Sequence, residues 1–163
     1  EDVAPISPDV DPTQKKIIAN VTYQTLSCFE GNTEVYFCRM ASGQVYDPLT
    51  GAISDEFATP VGELLTHWKI ISKNMTAGDA QTGYSTPAVP WNTFISGEGV
   101  AIHGAFWHND FGERRSHGCI NVKPEDAKWI FRWTTPYVSL VQSEMRMTWP
   151  DHGTLVGVTE LKV

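Results

Sequence analysis

A mainly β domain of short strands, closed into a sandwich or barrel and carrying one short helix after Cys119, is what this sequence predicts. Three observations carry that expectation. Gly 13 and Pro 10, set among six Trp and short runs rich in Val, Ile and Thr, favour strands joined by turns over a helical bundle. Strand-like segments recur at short intervals, each too brief to be a helix. One window alone, Pro124–Trp133, repeats its apolar residues at helical spacing. A chain of 163 residues is one domain on size, large enough for a core that needs no staple of disulfide or metal.

Taken along the chain, residues 1–14 carry Pro5, Pro8 and Pro12 among Glu1, Asp2, Asp9 and Asp11, a composition that buries little apolar surface, so they read as a linker or N-terminal arm. The compact domain is then 15–163. Its first strands are expected at 16–20, 25–29 and 33–40. If the latter two form a hairpin around Gly31-Asn32, Cys28 faces Val35, and Cys38 falls on the opposite face about 10 Å along the strand. That is too far for a disulfide, whose Cα atoms lie within about 7 Å, so Cys28 and Cys38 read as packing residues. The stretch 62–72 alternates through Leu64, Thr66 and Trp68 as one strand. Five more are expected at 91–95, 100–103, 119–122, 137–141 and 154–160. In the helix, Pro124 suits the first position, Glu125 and Asp126 complement the positive end of the dipole, and Ala127, Ile130 and Phe131 make the apolar stripe.

Charge removes whole classes of function. The net charge is −7, and the basic residues gather no further than Lys15-Lys16 and Arg114-Arg115, so the counterion release that drives nucleic-acid binding has no surface to work on. No apolar run approaches the ~18 residues of a membrane helix, so this segment itself makes no membrane contact. The chain opens on Glu1 and not Met. An upstream signal or anchor that has been removed is the expectation.

The chemistry concentrates in Ser116-His117-Gly118-Cys119-Ile120-Asn121, with His103 upstream at the end of an apolar run. Cysteine attacks as its thiolate, and an imidazole within hydrogen-bond reach is the usual way to obtain it. Here two are available. His103, His108, His117, Cys119 and Asp110 are also competent zinc ligands, which keeps a zinc-dependent wall hydrolase as an alternative, yet they lack the Cys-x2-Cys or His-x3-His spacing of zinc sites. A papain-like peptidase places its cysteine before its histidine, the reverse of the order here.

His103 and Ser116 to Asn121 together resemble the signature of the L,D-transpeptidases, enzymes that cross-link bacterial peptidoglycan: a histidine ending one strand, a variable loop, then Ser/Thr-His-Gly-Cys, an apolar residue and Asn or Arg. Weaker matches run through Gln24-Thr25-Leu26, Ala41-Ser42-Gly43, Thr59-Pro60-Val61-Gly62 and Pro124-Glu125-Asp126-Ala127. The aromatic loop 106–112 and the long stretch 46–57 depart from the pattern. The resemblance implies a β architecture and an extracytoplasmic transferase of cell-wall biogenesis that acts on peptidoglycan stem peptides with no metal and no cofactor. It also implies carbapenem-type β-lactams as covalent inhibitors. A wall-binding module that has kept the motif without activity is the remaining alternative.

Site residues follow from the motif and from chain geometry. Cys119 is the expected nucleophile. His103 is the better base because it ends a strand on a separate segment and can point across at the sulfur, while His117, two residues from Cys119, projects to the same side and is placed to meet substrate. The resemblance implies that the carbonyl of Gly104 orients His103. Gly118 and Cys119 would donate backbone N–H groups to the oxyanion. Ser116 and Asn121 either hold the turn and touch substrate or make ordinary loop hydrogen bonds. Arg114 and Arg115 either act on the site, lowering the thiol below the ~8.5 of a free cysteine or binding a substrate carboxylate, or are solvated loop residues. In relatives, a lid precedes the first motif histidine. The matching segment is 74–92, where Tyr84 and Trp91 either line the site or pack in the core.

Overall fold

Ten strands and one α-helix, with a short 3-10 turn at Pro12–Gln14, form among the described residues, 2–45, 50–54, 57–77, 84–147 and 153–161, in a computed structural model of the chain. They are β1 (Lys15–Asn20), β2 (Thr25–Glu30), β3 (Thr33–Arg39), β4 (Gly62–Leu65), β5 (Trp68–Ala77), β6 (Tyr84–Phe94), β7 (Ala101–Gly104), β8 (Ile120–Val122), α1 (Pro124–Trp133), β9 (Glu144–Arg146) and β10 (Leu155–Thr159). Two five-stranded sheets result, ordered β3-β2-β1-β10-β4 and β8-β7-β6-β5-β9. Most pairs are antiparallel; β1 with β10 and β7 with β8 are parallel. The mainly β, two-sheet architecture agrees with the sequence, and α1 has the expected bounds.

Alternation explains the inner faces. On β1, Lys15, Ile17 and Ala19 are buried while their neighbours are half-buried. The main core joins Ile17, Leu26 and Val156 of the first sheet to Ile102, Ile120 and Val122 of the second and to Ala127, Ile130, Phe131 and Trp133 of α1. Tyr36 of β3 stacks on Trp129 with ring centres 4.1 Å apart, and Glu30 accepts from Trp133 Nε1 at 2.9 Å. The helix is thereby held against both sheets.

Two buried ammonium groups finish the helix. Its last carbonyls have no partner inside the helix. Lys15 Nζ donates to Trp133 O at 2.8 Å, and Lys69 Nζ donates to Thr134 O at 2.6 Å and also to Phe131 O. Positive charge at a helix C-terminus is favourable there, although burial lowers the pKa of both lysines. Lys15 comes from the first sheet and Lys69 from the second, so one helix end ties the two together. Residues 2–14 lie on the same region: Ile6 N–H donates to Arg132 O at 3.0 Å, Arg132 Nε donates to Ala4 O at 2.8 Å, and Val3 and Ile6 pack against the core.

The structure corrects four expectations. The stretch 62–72 is two strands in different sheets, broken where Thr66 Oγ1 donates to Thr135 O and His67 N–H donates to Phe94 O. Residues 137–141 form no strand, since Tyr137 is held by Lys15 at 3.0 Å, and β9 follows instead. The strand expected at 91–95 runs from Tyr84, with Ala88 and Trp91 at φ 53° marking two irregular points. In the first hairpin a bulge puts Cys28 opposite Tyr36 and Cys38 opposite Leu26, so both cysteines lie buried on one face, unpaired. Within the segment 74–92, residues 74–77 belong to β5 and 84–92 to β6, which pair antiparallel, while residues 78–83 lie outside the described residues; of the long stretch 46–57, residues 46–49 and 55–56 lie outside them too.

Replacing Lys69 by Met keeps the volume and removes the donor from the Phe131 and Thr134 carbonyls. Each buried unsatisfied polar group costs about 1–3 kcal/mol, so denaturant unfolding is expected to show a loss of about 2–4 kcal/mol. An unchanged midpoint would remove Lys69 from its tying role.

Candidate active site

β7 and β8 pair in parallel with Ile102 opposite Ile120, His103 opposite Asn121 and Gly104 opposite Val122. Side chains alternate along a strand, so Ile102, Ile120 and Val122 enter the main core while His103, Cys119 and Asn121 project from the other face. Extended by one step, the register sets Cys119 beside Ala101, two residues short of His103. With strands about 4.8 Å apart and about 3.3 Å per residue, the two Cα atoms are about 8 Å apart. Both side chains line one cavity of about 310 Å³, which Met75, Thr86 and Val89 of β5 and β6 flank.

His103 is 4% exposed, and its Nδ1 lies 3.0 Å from Gly104 O. A carbonyl oxygen can only accept, so Nδ1 carries the proton and Nε2 is left as the basic nitrogen. Burial pushes the imidazole down to about 4, with the Gly104 bond opposing and His108 adding to the shift. Cys119 is 8% exposed, and its Sγ donates to Gly99 O at 3.7 Å. Burial pushes the thiol up to about 11, with the Ala101 N–H opposing. Burial therefore disfavours charge on both groups and favours the proton on sulfur.

Residues 14–158 match the family model of L,D-transpeptidase catalytic domains. The chain belongs to the L,D-transpeptidase family. It is 30% identical over 120 residues to L,D-transpeptidase 2 of Mycobacterium tuberculosis, a match spanning 66% of this chain and 28% of that relative. Among solved structures, an L,D-transpeptidase of Mycobacterium smegmatis aligns with a TM-score of 0.66 at 20% identity, over 90% of this chain and 58% of that one. L,D-transpeptidase 3 of Mycobacterium tuberculosis, solved in complex with a faropenem-derived adduct, aligns with a TM-score of 0.66 at 23% identity, over 90% and 60%. The chain thus spans under a third of the curated relative and about three fifths of these solved ones.

The remaining L,D-transpeptidase-like segments converge on the cysteine turn. Gln24 Nε2 donates to Ser42 Oγ at 2.7 Å and its Oε1 accepts from Ser42 N–H at 2.8 Å. Ser42 O in turn accepts the N–H groups of Arg115 and Ser116, and Ala41 exchanges two backbone bonds with Asn121 at 2.8 and 2.9 Å. Thr59 Oγ1 bridges the two strips, accepting from Gly43 N–H and donating to Gly118 O, each at 2.8 Å. Close packing explains the glycines here. A Cβ on Gly43 would fall 1.7 Å from Phe57 O, and Gly118 holds φ at 121°. Ser116 Oγ closes the turn by donating to Cys119 O and accepting from Gly118 N–H at 3.3 Å.

Of the residues named from sequence, Cys119, His103, His117, Asn121, Ser116 and Arg115 line the cavity. Gly104 and Gly118 support it from behind. His117 is exposed, with its ring edge-on to Phe57 at 4.9 Å, and partial burial lowers its pKa. Three expectations are corrected. Trp91 is a core residue, 6% exposed and packed on Phe131 at 5.3 Å. Arg114 lies off the cavity, paired with Glu160 at 3.0 Å. The arginines do not lower the thiol, because Arg115 is spent on Asp110 at 2.8 Å and burial sets the shift. Tyr84 is described in its backbone alone, paired with Ala77. Sequence reasoning missed His108, Met75, Val89 and the carbonyl of Gly99. His108 drew notice there merely as a metal ligand, and among the described residues no three His, Cys, Asp or Glu side chains converge as a metal site.

Thr59→Val strands two buried backbone groups, so unfolding should show a loss of about 2–4 kcal/mol together with slower acylation of Cys119. Thr59→Ser keeps the hydroxyl and is expected to behave as the parent in both measurements. Equal behaviour of the two variants would deny the bridge its part in holding the turn.

Proposed function

We propose that this chain forms a thioester at Cys119 with a peptidoglycan tetrapeptide stem and passes the acyl group to the side-chain amine of a neighbouring stem. One observation carries the reading: a buried thiol and a buried imidazole project from adjacent parallel strands into a single cavity, with the imidazole's Nδ1 spent on Gly104 O and its Nε2 left basic. His103 Nε2 takes the Cys119 proton as Sγ attacks the carbonyl carbon of the residue before the terminal D-alanine. The backbone N–H groups of Cys119 and Gly118 stabilise the oxyanion, the latter exchanging its long bond to Ser116 for the stronger charged acceptor. Collapse expels D-alanine, whose amine takes the proton back from Nε2. The acceptor amine then attacks the thioester, loses its proton to Nε2, and the thiol is restored.

A resting site without charge suits this order of events. Proton transfer waits until the substrate carbonyl is in place, so a stray electrophile meets a thiol and not a thiolate. Such a substrate lies outside the cytoplasm, which places the enzyme in the periplasm or wall. No helix of the described residues is long and apolar enough to cross a membrane. The strained amide of a carbapenem offers the same carbonyl, and relatives solved with imipenem and with a faropenem-derived adduct support that susceptibility.

Cys119→Ala is expected to abolish both stem-peptide transfer and the imipenem adduct seen by intact-protein mass spectrometry. His103→Ala should cost about 10²–10⁴-fold in kcat/KM. Because only neutral His103 is a base, kcat/KM should fall on the acid side with a midpoint near 4, as burial holds this imidazole. Transfer by Cys119→Ala, or an acid midpoint near the ordinary ~6.5 of histidine, would count against these roles.

A further inference from the structure

Trp107 brings the largest apolar side chain to the cavity, and no step of the transfer uses it. It is 40% exposed in a loop where its neighbour Phe106 is 60% exposed, although an indole is ordinarily well covered. Its ring is nonetheless fixed. Phe106 stands edge-on to it at 5.1 Å, His108 at 6.1 Å, and the His103 imidazole lies 5.9 Å away, tilted by 31°. An aromatic face held still and left open beside the base is a prepared surface, because nothing has to be immobilised when a ligand settles on it.

The acceptor's chemistry matches that surface. A side-chain alkyl amine, with a pKa of about 10.4, reaches the enzyme as an ammonium. Among the described residues no carboxylate lines the cavity, and the cation that does, Arg115, is paired with Asp110 at 2.8 Å. What remains attractive to an ammonium on an apolar stem is an aromatic face, which draws a cation within about 6 Å of its centre and packs against the methylene chain. With the two ring centres 5.9 Å apart, an amine resting on the indole is beside the imidazole that must take its proton.

We infer that Trp107 is the acceptor-binding residue: its exposed indole takes the alkyl ammonium side chain of the second stem and delivers the amine between His103 Nε2 and the thioester. The ammonium gives one proton to water. The free amine then attacks the thioester carbon and passes a second proton to Nε2, from which the departing Cys119 sulfur recovers it. D-alanine, released in the first step, exchanges with the same nitrogen, but it has no alkyl stem to lay on the ring and its carboxylate meets the negative face of the indole. Trp107 thereby favours transfer to a side-chain amine over the return of D-alanine.

This inference rests on the acyl-transfer reading, and its test separates the two. The donor is a tetrapeptide stem with its side-chain amine acetylated, which cannot accept; the acceptors are a tripeptide stem, which cannot donate, and isotopically labelled D-alanine. In Trp107→Leu the ratio of tripeptide transfer to D-alanine exchange should fall about tenfold, whereas Trp107→Phe, which keeps a ring, should hold it within about threefold of the parent. An unchanged ratio in Trp107→Leu overturns the inference. In Cys119→Ala, where the chemistry stops, the tripeptide should shift the Trp107 indole N–H resonance and the same tripeptide with an acetylated amine should not. Equal shifts, or none, overturn the inference as well. A parent enzyme that forms no acyl-enzyme with the donor or with imipenem overturns the proposed function instead, while the indole resonance still decides the fate of Trp107.

Discussion

The parallel register between β7 and β8 is the constraint from which the rest of the site follows. Setting His103 opposite Asn121 brings the ends of two segments, separated in sequence by a long loop, onto adjacent strands with the same facing. A slip of β8 by one residue against β7 would send Cys119 and Asn121 into the core and Ile120 into the cavity, and a slip of β7 would do the same with His103 and Ile102. Either exchange would expose an isoleucine and bury polar groups, so the core itself enforces this facing. The bonds between 41–44 and 116–121 do the same from the other edge, because Ala41 pairs with Asn121 and Gly43 lies against Ser116.

Drying is the second consequence of that packing. Residues that close around the face, Val89, Phe94 and Met75 among them, exclude water from the thiol and disfavour charge on both the thiol and the imidazole. Among the described residues, no carboxylate that could stabilise an imidazolium lines this cavity. His103 is instead oriented by a carbonyl dipole, which fixes the tautomer without fixing a charge. On the proposed mechanism reactivity is coupled to occupancy: donors that matter only once an oxyanion forms are in place beforehand, and the energy of ion-pair formation would be met by the developing tetrahedral intermediate.

How much of this could be read from the sequence varied with the range of the interaction involved. The helix was legible to the residue because Pro124, the Glu125-Asp126 pair and the Ala127-Ile130-Phe131 stripe act within one element. The residues proposed as nucleophile and base stood out because Gly118 and the two His-Gly pairs make a local pattern that few other chemistries require. Long-range choices were not. Nothing near Thr66 shows that the chain leaves one sheet for the other there, since the cause is a hydroxyl bonded to Thr135 O. The bulge that turns Cys38 inward, and the ion pairs that take Arg114 and Arg115 away from the thiol, likewise depend on residues distant in the chain. Gln24, Ser42 and Thr59 looked like weak motif echoes. The structure gives them a reason, since each holds the strip that carries Cys119.

The central claim is that the resting site keeps its proton on sulfur. Titration of the thiol by ultraviolet thiolate absorbance, taken as the difference between the parent protein and Cys119→Ala, tests it directly. The expected result is no thiolate from pH 6 to pH 9 and a rise toward a midpoint of about 11. A full equivalent of thiolate at pH 7, with His103 doubly protonated, would show instead that the site rests as an ion pair and would contradict the claim.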